Sequence, residues 1–272
     1  MALSSIDNTR QKINERMGKV KHKLIIMSGK GGVGKSAVAV NLCYSLALSG
    51  KRVGLLDVDI HGPSIGKMMG IEGKPLTGIQ NGIIEPLKKD NIEVVTMASL
   101  LPDPTLPVIW RGPLKMKAIA QFLGDINWGE LDYLVVDSPP GTGDEPLSVI
   151  QLLGKLDGSI IVTTPQDVSL LDASKTVKFS RELKVPVIGV IENMSGFICP
   201  ECGAKIDIFK SGGGRKLAEK MEIPFLGEVP LDPSIVEASD SGRPFVYDFK
   251  ESEAGKSFME IVKGIVEKVE GE

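Results

Sequence analysis

Gly29, Gly34, Lys35 and Ser36 of this 272-residue chain stand at the spacing G-x-x-x-x-G-K-S. A loop of that composition does one kind of chemistry. Its glycines let successive backbone N–H groups turn inward around a polyphosphate, and the helix that follows adds the positive end of its dipole. Lys35 would neutralise the β- and γ-phosphates, and the Ser36 hydroxyl would ligate Mg²⁺. Gly29, Lys30, Gly31, Gly32, Val33, Gly34, Lys35, Ser36 and Ala37 thus form a candidate triphosphate cradle. Acids at the ends of apolar runs supply the rest. Asp137 closes Tyr133 to Val136, and Asp57 and Asp59 follow Val53 to Leu56. An acid at the C-terminal end of a buried parallel strand points into the crevice where ligands sit in open α/β sheets, so Asp137 can hold the hydration shell of Mg²⁺. The Pro139-Pro140-Gly141-Thr142-Gly143 run after it suits a switch whose Gly141 N–H reaches the γ-phosphate. Asp144 falls where a helix N-cap belongs, and His61 reads as a loop residue rather than a base.

Cys199-Pro200-Glu201-Cys202-Gly203 is a second constellation, a knuckle that aims two thiolates at one ion. Tetrahedral zinc and [4Fe–4S] sites want four ligands. The remaining cysteine, Cys43, lies between Leu42 and Leu46 and reads as an inert core thiol. The deficit closes if two chains each donate a pair across a two-fold axis, which gives a [4Fe–4S] cluster bridging Cys199 and Cys202 of both copies. A zinc ion shared the same way and a redox dithiol are the other readings of this pair.

These residues need a frame, and the pattern supplies one. Lys23 to Met27 is an apolar run before the glycine loop, and Ala37 to Leu48 reads as a helix after it. Further strands are expected at 52–56, 92–97, 132–137, 159–164, 185–191 and 225–229, with helices at 114–123 and 170–183. Strand and helix alternate, so the fold class is α/β: a doubly wound, mostly parallel sheet covered on both faces. Residues 23–272 form one domain with the knuckle inserted at about 197–209, preceded by an N-terminal tail or helix over 1–22 with Ile6, Ile13, Met17 and Val20 at loosely helical spacing. Residues 258–269 show an amphipathic helix. Its mixed charge, Glu260 and Glu267 against Lys263 and Lys268, favours packing on the sheet over a lipid surface.

A hydrophobic content of 42 % is ample for a core of this size, and a net charge of −3 argues against nucleic acid or anionic membrane as the main partner. Residues 1–23 lack an apolar signal segment, and no apolar run reaches the roughly 18 residues a membrane span needs. With so few cysteines and no disulfide framework, a cytoplasmic protein is expected.

Lys30, directly after the first glycine, resembles the deviant phosphate-loop branch that contains the septum-site regulator MinD, the nitrogenase iron protein and the arsenite-pump ATPase. That resemblance implies that Lys30 reaches the nucleotide of a second subunit, an arginine-finger equivalent supplied in trans. It also assigns water positioning to Asp59 and support of the Mg²⁺ shell to Asp57. Ser138 stands where motor-type ATPases carry a catalytic glutamate. Glu192-Asn193-Met194-Ser195 lacks the Lys and Asp of a guanine site, and in the branch this Asn contacts adenine, so ATP is implied with Asn193 as its reader. Trp110-Arg111-Gly112-Pro113, the Asp57 to Ser64 and Asp137 to Asp144 stretches and the cysteine pair together resemble the Mrp/ApbC family of iron–sulfur carrier ATPases over roughly residues 20 to 250. The family implies a homodimer that hydrolyses ATP slowly with Mg²⁺, binds a labile [4Fe–4S] cluster at its interface and passes it to apo iron–sulfur proteins. A MinD- or ParA-like spatial organiser and a zinc-bridged nucleotide switch are the competing functions.

Overall fold

The computed structural model describes residues 2–59, 62–80, 83–100, 112–199 and 202–271; Ile60, His61, Trp110, Arg111, Pro200 and Glu201 lie outside them. Helix α1 (Ala2–Met17) leads into β1 (Val20–Met27), the phosphate loop, and α2 (Lys35–Leu48). Strand β2 (Val53–Asp57) and the short α3 (Ile65–Met68) precede a hairpin of β3 (Thr77–Gln80) and β4 (Ile83–Glu85), followed by β5 (Leu87–Lys89) and β6 (Ile92–Thr96). Then α4 (Gly112–Gly124), β7 (Leu131–Asp137), α5 (Asp144–Leu153), β8 (Gly158–Thr163), α6 (Asp167–Glu182) and β9 (Val187–Ile198) alternate. The chain closes with β10 (Lys205–Ile206), α7 (Gly213–Met221), β11 (Phe225–Leu231), α8 (Pro233–Asp240), α9 (Phe245–Asp248) and α10 (Glu253–Glu270).

The main sheet runs β10-β9-β8-β1-β7-β2-β6-β5, with β11 also on β9; β5 and β10 pair antiparallel and the rest parallel. Consecutive residues of β1 show why such strands read as unbroken apolar runs. Leu24 and Ile26 join the core on one side of the sheet with Val38, Leu42 and Leu55, whereas Ile25 and Met27 join the core on the other with Leu56, Phe122 and Val136. Helices cover both faces, so both sets of side chains must be apolar.

Ala2–Met17 form a helix rather than a tail. Helix α1 packs on α4 and α5, burying Ile13 and Met17, and Val20 already belongs to β1. The strand expected at 185–191 continues to Ile198, so Cys199 leaves the sheet directly from a strand end. Asp144 is the first residue of α5, while Gly143 holds the cap position and no side chain caps the helix; its carboxylate favours the helix dipole from inside the first turn instead.

Helix α10 buries Phe258, Ile261, Val262 and Ile265 against α2 and β11. That i, i+3, i+4, i+7 stripe is the apolar face, and it is spent on the protein core. Its far end is fastened by Glu270, whose carboxylate accepts from Lys51 Nζ at 2.8 Å and from the Tyr133 hydroxyl at 2.7 Å. Among the described residues no helix is long and apolar enough to cross a membrane. Phe258→Ala should cost about 3–5 kcal/mol, the usual loss for a fully buried aromatic side chain, read from the midpoint of urea unfolding; a change below about 1 kcal/mol would mean that α10 is not part of the core.

Candidate functional site

The loop between β1 and α2 lies at the C-terminal edge of the sheet, where β1 sits between β7 and β8. Open α/β sheets place their ligand crevice there. Residues of the loop line a cavity of about 230 Å³ together with Asp59, Gly62, Ser64, Met68 and Pro140. Two of the glycines are fixed by different causes. Gly29 lies against α6 so closely that a Cβ would fall 2.3 Å from the Asp172 carbonyl carbon. Gly34 has φ of 79°, a left-handed conformation, and its Cβ would fall 2.2 Å from Asn193 Nδ2.

Strand register builds the acidic cluster. Asp57 and Asp137 are Cα partners on adjacent parallel strands, and Thr96 is the partner of Asp57 on its other side. Lys35 Nζ donates to Asp137 Oδ1 at 2.7 Å and lies 4.0 Å from Asp59 Oδ2; Ser36 Oγ donates to Asp137 Oδ2 at 2.6 Å. Thr96 Oγ1 donates to Asp57 Oδ2 at 2.7 Å, and the Asp59 backbone N–H donates to Asp57 Oδ1 at 3.0 Å. Burial, then the Asp137 charge beside it, pushes the Asp57 carboxyl up to about 8. Burial also raises Asp137, against the pull of Lys35 and Ser36. Two sunken carboxylates and a serine hydroxyl are a donor set of oxygens alone. It suits a hard cation such as Mg²⁺, which takes one or two carboxylates and completes its shell with water and phosphate. Ser36, Asp137 and Asp57 are the residues that would hold it, directly or through its water shell. A cation there supplies charge neutralisation for the phosphates.

The other expected residues fall into place unevenly. Lys30 is half-buried at the rim of the cavity, and its ammonium makes no ion pair among the described residues. The Gly141 N–H donates to the Ser28 carbonyl at 2.8 Å, so it must leave that bond to meet a phosphate. Asn193 sits beneath the loop, its Nδ2 donating to the Val33 carbonyl at 2.9 Å, and braces the cradle from below. Two residues escaped the sequence reading. Thr96 carried a partial signal, a hydroxyl residue near the end of an expected strand, but only the pairing of β6 with β2 sets it beside Asp57. Glu192 carried none, because the two peptide N–H groups that donate to its carboxylate, those of Gly212 and Gly214, lie about 20 residues on.

On the opposite flank, Cys199 leaves β9 half-buried and Cys202 is exposed. The Gly203 N–H donates to the Cys199 carbonyl at 2.8 Å, the Cys199 N–H donates to the Ala204 carbonyl at 3.0 Å, and Gly203 has φ of 70°. That is a tight turn with its thiols near the surface. Among the described residues no group of three His, Cys, Asp or Glu side chains is placed to hold a metal ion. Cys43 is fully buried and its thiol is pushed up by that burial, as an inert core residue should be.

A parallel sheet with its glycine loop at the switch point and acids at the ends of the next two strands on one side, β7 and β2, is a P-loop NTPase of the MinD-like kind. Solved MinD from Pyrococcus furiosus has the same fold, at TM-score 0.66 and 22 % identity over 90 % of this chain and 98 % of that one. The model of the ParA family, NUBPL iron-transfer P-loop NTPases, matches residues 19–266, and this chain belongs to that family. It is 54 % identical to an iron-sulfur cluster carrier protein of Methanocaldococcus jannaschii across 96 % of this chain and 89 % of the relative. A Saccharolobus solfataricus protein of the same name is 48 % identical over 95 % and 88 %. A nucleotide-binding protein from Archaeoglobus fulgidus, solved with ADP and with cobalt found in it, matches at TM-score 0.78 and 39 % identity over 88 % of this chain and 93 % of that one.

Gly29→Ala should lower stability by at least about 1–3 kcal/mol, the range for forced overpacking, and abolish nucleotide binding. Gly31→Ala, where an added Cβ meets nothing within 4 Å, should leave stability within about 0.5 kcal/mol. Equal effects of the two in thermal unfolding and nucleotide titration would contradict the packing account.

Proposed function

We propose that the chain is a Mg²⁺-dependent, ATP-hydrolysing carrier that holds a labile [4Fe–4S] cluster between two copies of itself and passes it to apo-proteins. The observation that carries this reading is the thiol pair. Cys199, half-buried, and Cys202, exposed, share a short turn, and no third ligating side chain joins them among the described residues. On this reading a four-ligand ion or cluster takes its other two ligands from a second copy. The names of the Methanocaldococcus and Saccharolobus relatives support the cargo. A cluster that is meant to be handed on needs exposed, exchangeable thiolates, and a reducing cytoplasm keeps such thiols available.

In the proposed cycle, backbone N–H groups of Gly31 to Ala37 and the Lys35 ammonium take the phosphates, and Asn193 reads adenine at the base of the loop. Asp59, 9 % exposed and facing Lys35, orients a water. The water oxygen forms a bond to the γ-phosphorus, the bond from that phosphorus to the β–γ bridging oxygen breaks, and ADP and inorganic phosphate result. Lys30 of the second copy meets the charge that gathers on the transferring group, which ties hydrolysis to dimerisation. Gly141 exchanges its bond to Ser28 for the γ-phosphate and so reports whether that phosphate is present. The buried stripe of α10 removes the membrane-surface helix that a spatial organiser would use.

Lys30→Ala should keep nucleotide affinity within about threefold while turnover falls at least about tenfold, whereas Lys35→Ala should lose affinity itself; turnover unchanged in Lys30→Ala would remove the trans role. Anaerobic reconstitution with iron and sulfide should yield one cluster per two chains, and Cys199→Ala should yield none. Zinc that iron and sulfide cannot displace, or a full cluster in a monomer, would overturn the carrier reading; the cobalt in the Archaeoglobus protein makes a single divalent ion the rival to separate.

A further inference from the structure

Strand β9 carries neighbouring side chains that reach the two ends of the functional surface. Asn193 touches the phosphate loop, through its bond to the Val33 carbonyl and its tight seat under Gly34. Glu192, fully buried, turns the other way. Its carboxylate accepts from the Gly212 N–H at 2.8 Å, from the Gly214 N–H, and from Ser195 Oγ at 2.5 Å. Gly212 and Gly214 bracket the start of α7, so the negative charge rests on peptide N–H groups at the positive end of that helix.

The position of these donors matters for the thiols. The cysteine-bearing turn departs from the end of β9 at Ile198, returns against it as β10 at Lys205–Ile206, and the segment then runs on to Gly212. Its roots are β9, the strand that contains Glu192, and β10 beside it, while Gly212, where the segment meets α7, is hydrogen-bonded to the Glu192 carboxylate. There is little slack, since a Cβ on Gly214 would lie 2.9 Å from Glu192 Cβ. A helix start needing only a cap would be served by a local Ser, Thr or Asp. A buried carboxylate is a costly substitute, tolerated only while every donor stays in place. A displacement of β9 at this level must therefore carry Gly212, the end of the segment that holds the thiols, with it or break charge-assisted bonds.

We propose that Glu192 is a positioning residue that couples the phosphate loop to the cysteine knuckle, with Asn193 as the contact on the nucleotide side. Filling of the loop at Val33 and Gly34 shifts Asn193, the backbone passes the shift to Glu192, and the Glu192 carboxylate moves Gly212 and the thiol-bearing turn. Linkage makes the effect reciprocal: whatever factor nucleotide imposes on ligand binding at the thiols, that ligand imposes on nucleotide. The proposal rests on the nucleotide and thiol roles given above, but not on which metal the thiols take.

The test uses the full chain with no iron or zinc on the thiols. Labelling of Cys199 and Cys202 by a chromogenic thiol reagent is timed with and without Mg²⁺ and a non-hydrolysable ATP analogue, Cys43 being silent because it is fully buried. In the native chain the analogue should change the rate by about fivefold or more, the lower end of ordinary coupling. Glu192→Gln places an amide donor against one of the peptide N–H groups, and should reduce that ratio to within about twofold of unity while analogue affinity is kept. Ser195→Ala, which removes one donor and keeps the charge, should give an intermediate ratio. A full nucleotide effect in Glu192→Gln, or no effect in the native chain, overturns the proposal. Should Glu192→Gln unfold, Ser195→Ala decides alone, and an undiminished ratio there overturns it. Iron reconstitution fails or succeeds independently, so a chain that prefers zinc but keeps nucleotide-sensitive thiols would lose the cluster and retain the coupling.

Discussion

A buried ammonium beside buried carboxylates is the constraint on which the structure turns. Lys35, 6 % exposed, lies 2.7 Å from Asp137, which is wholly buried and also takes the Ser36 hydroxyl. Charges so far from water persist only when paired and hydrogen-bonded. The pairing joins the first turn of α2 to the end of β7 across 102 residues of sequence. Asp57 lies beside Asp137 in register and is pushed up to about 8 by its burial and by that neighbour. The crowding of negative charge is the physical reason that the cluster favours a cation and a lysine together.

The sheet makes that crowding possible. A parallel strand covered by helices on both faces has no polar face to spare, so its polar side chains collect at its ends. Here β1, β7, β2 and β6 lie side by side and finish at Met27, Asp137, Asp57 and Thr96, which delivers loop, acids and hydroxyl to one edge. Helix α6 then presses on Gly29 from the β8 side and fixes the start of the loop. The cradle is thus shaped by packing as much as by the flexibility of glycine.

The thiol pair follows different rules. Residues 202–210 are exposed, and the loop crosses the sheet edge with only a two-residue strand, β10, to hold it. Such a segment has few apolar contacts of its own and takes its placement from its roots. Those roots converge on β9, the same strand that supports the phosphate loop. In the proposed carrier role, a thiol pair near the surface would suit release of cargo, and a buried root would suit control of it.

Much of this was legible in the chain itself. The glycine loop, the strand–helix alternation, the acid at the end of each apolar run and the spacing of Cys199 and Cys202 are local patterns, set by residue type and covalent distance. The amphipathic stripe of the last helix was readable for the same reason. Tertiary structure decided the rest, because it depends on register between segments distant in sequence. It chose Asp137 as the direct partner of Lys35, set Thr96 on Asp57, gave the Gly141 N–H to Ser28 and placed Asn193 under the loop. It made α1 part of the domain and left Asp144 inside its helix with the cap position to Gly143. Glu192 is the plainest case: beyond Ser195 on its own strand, nothing near it in sequence foretells two peptide donors from the start of a later helix, and only the return of the chain to β9 brings them to its carboxylate.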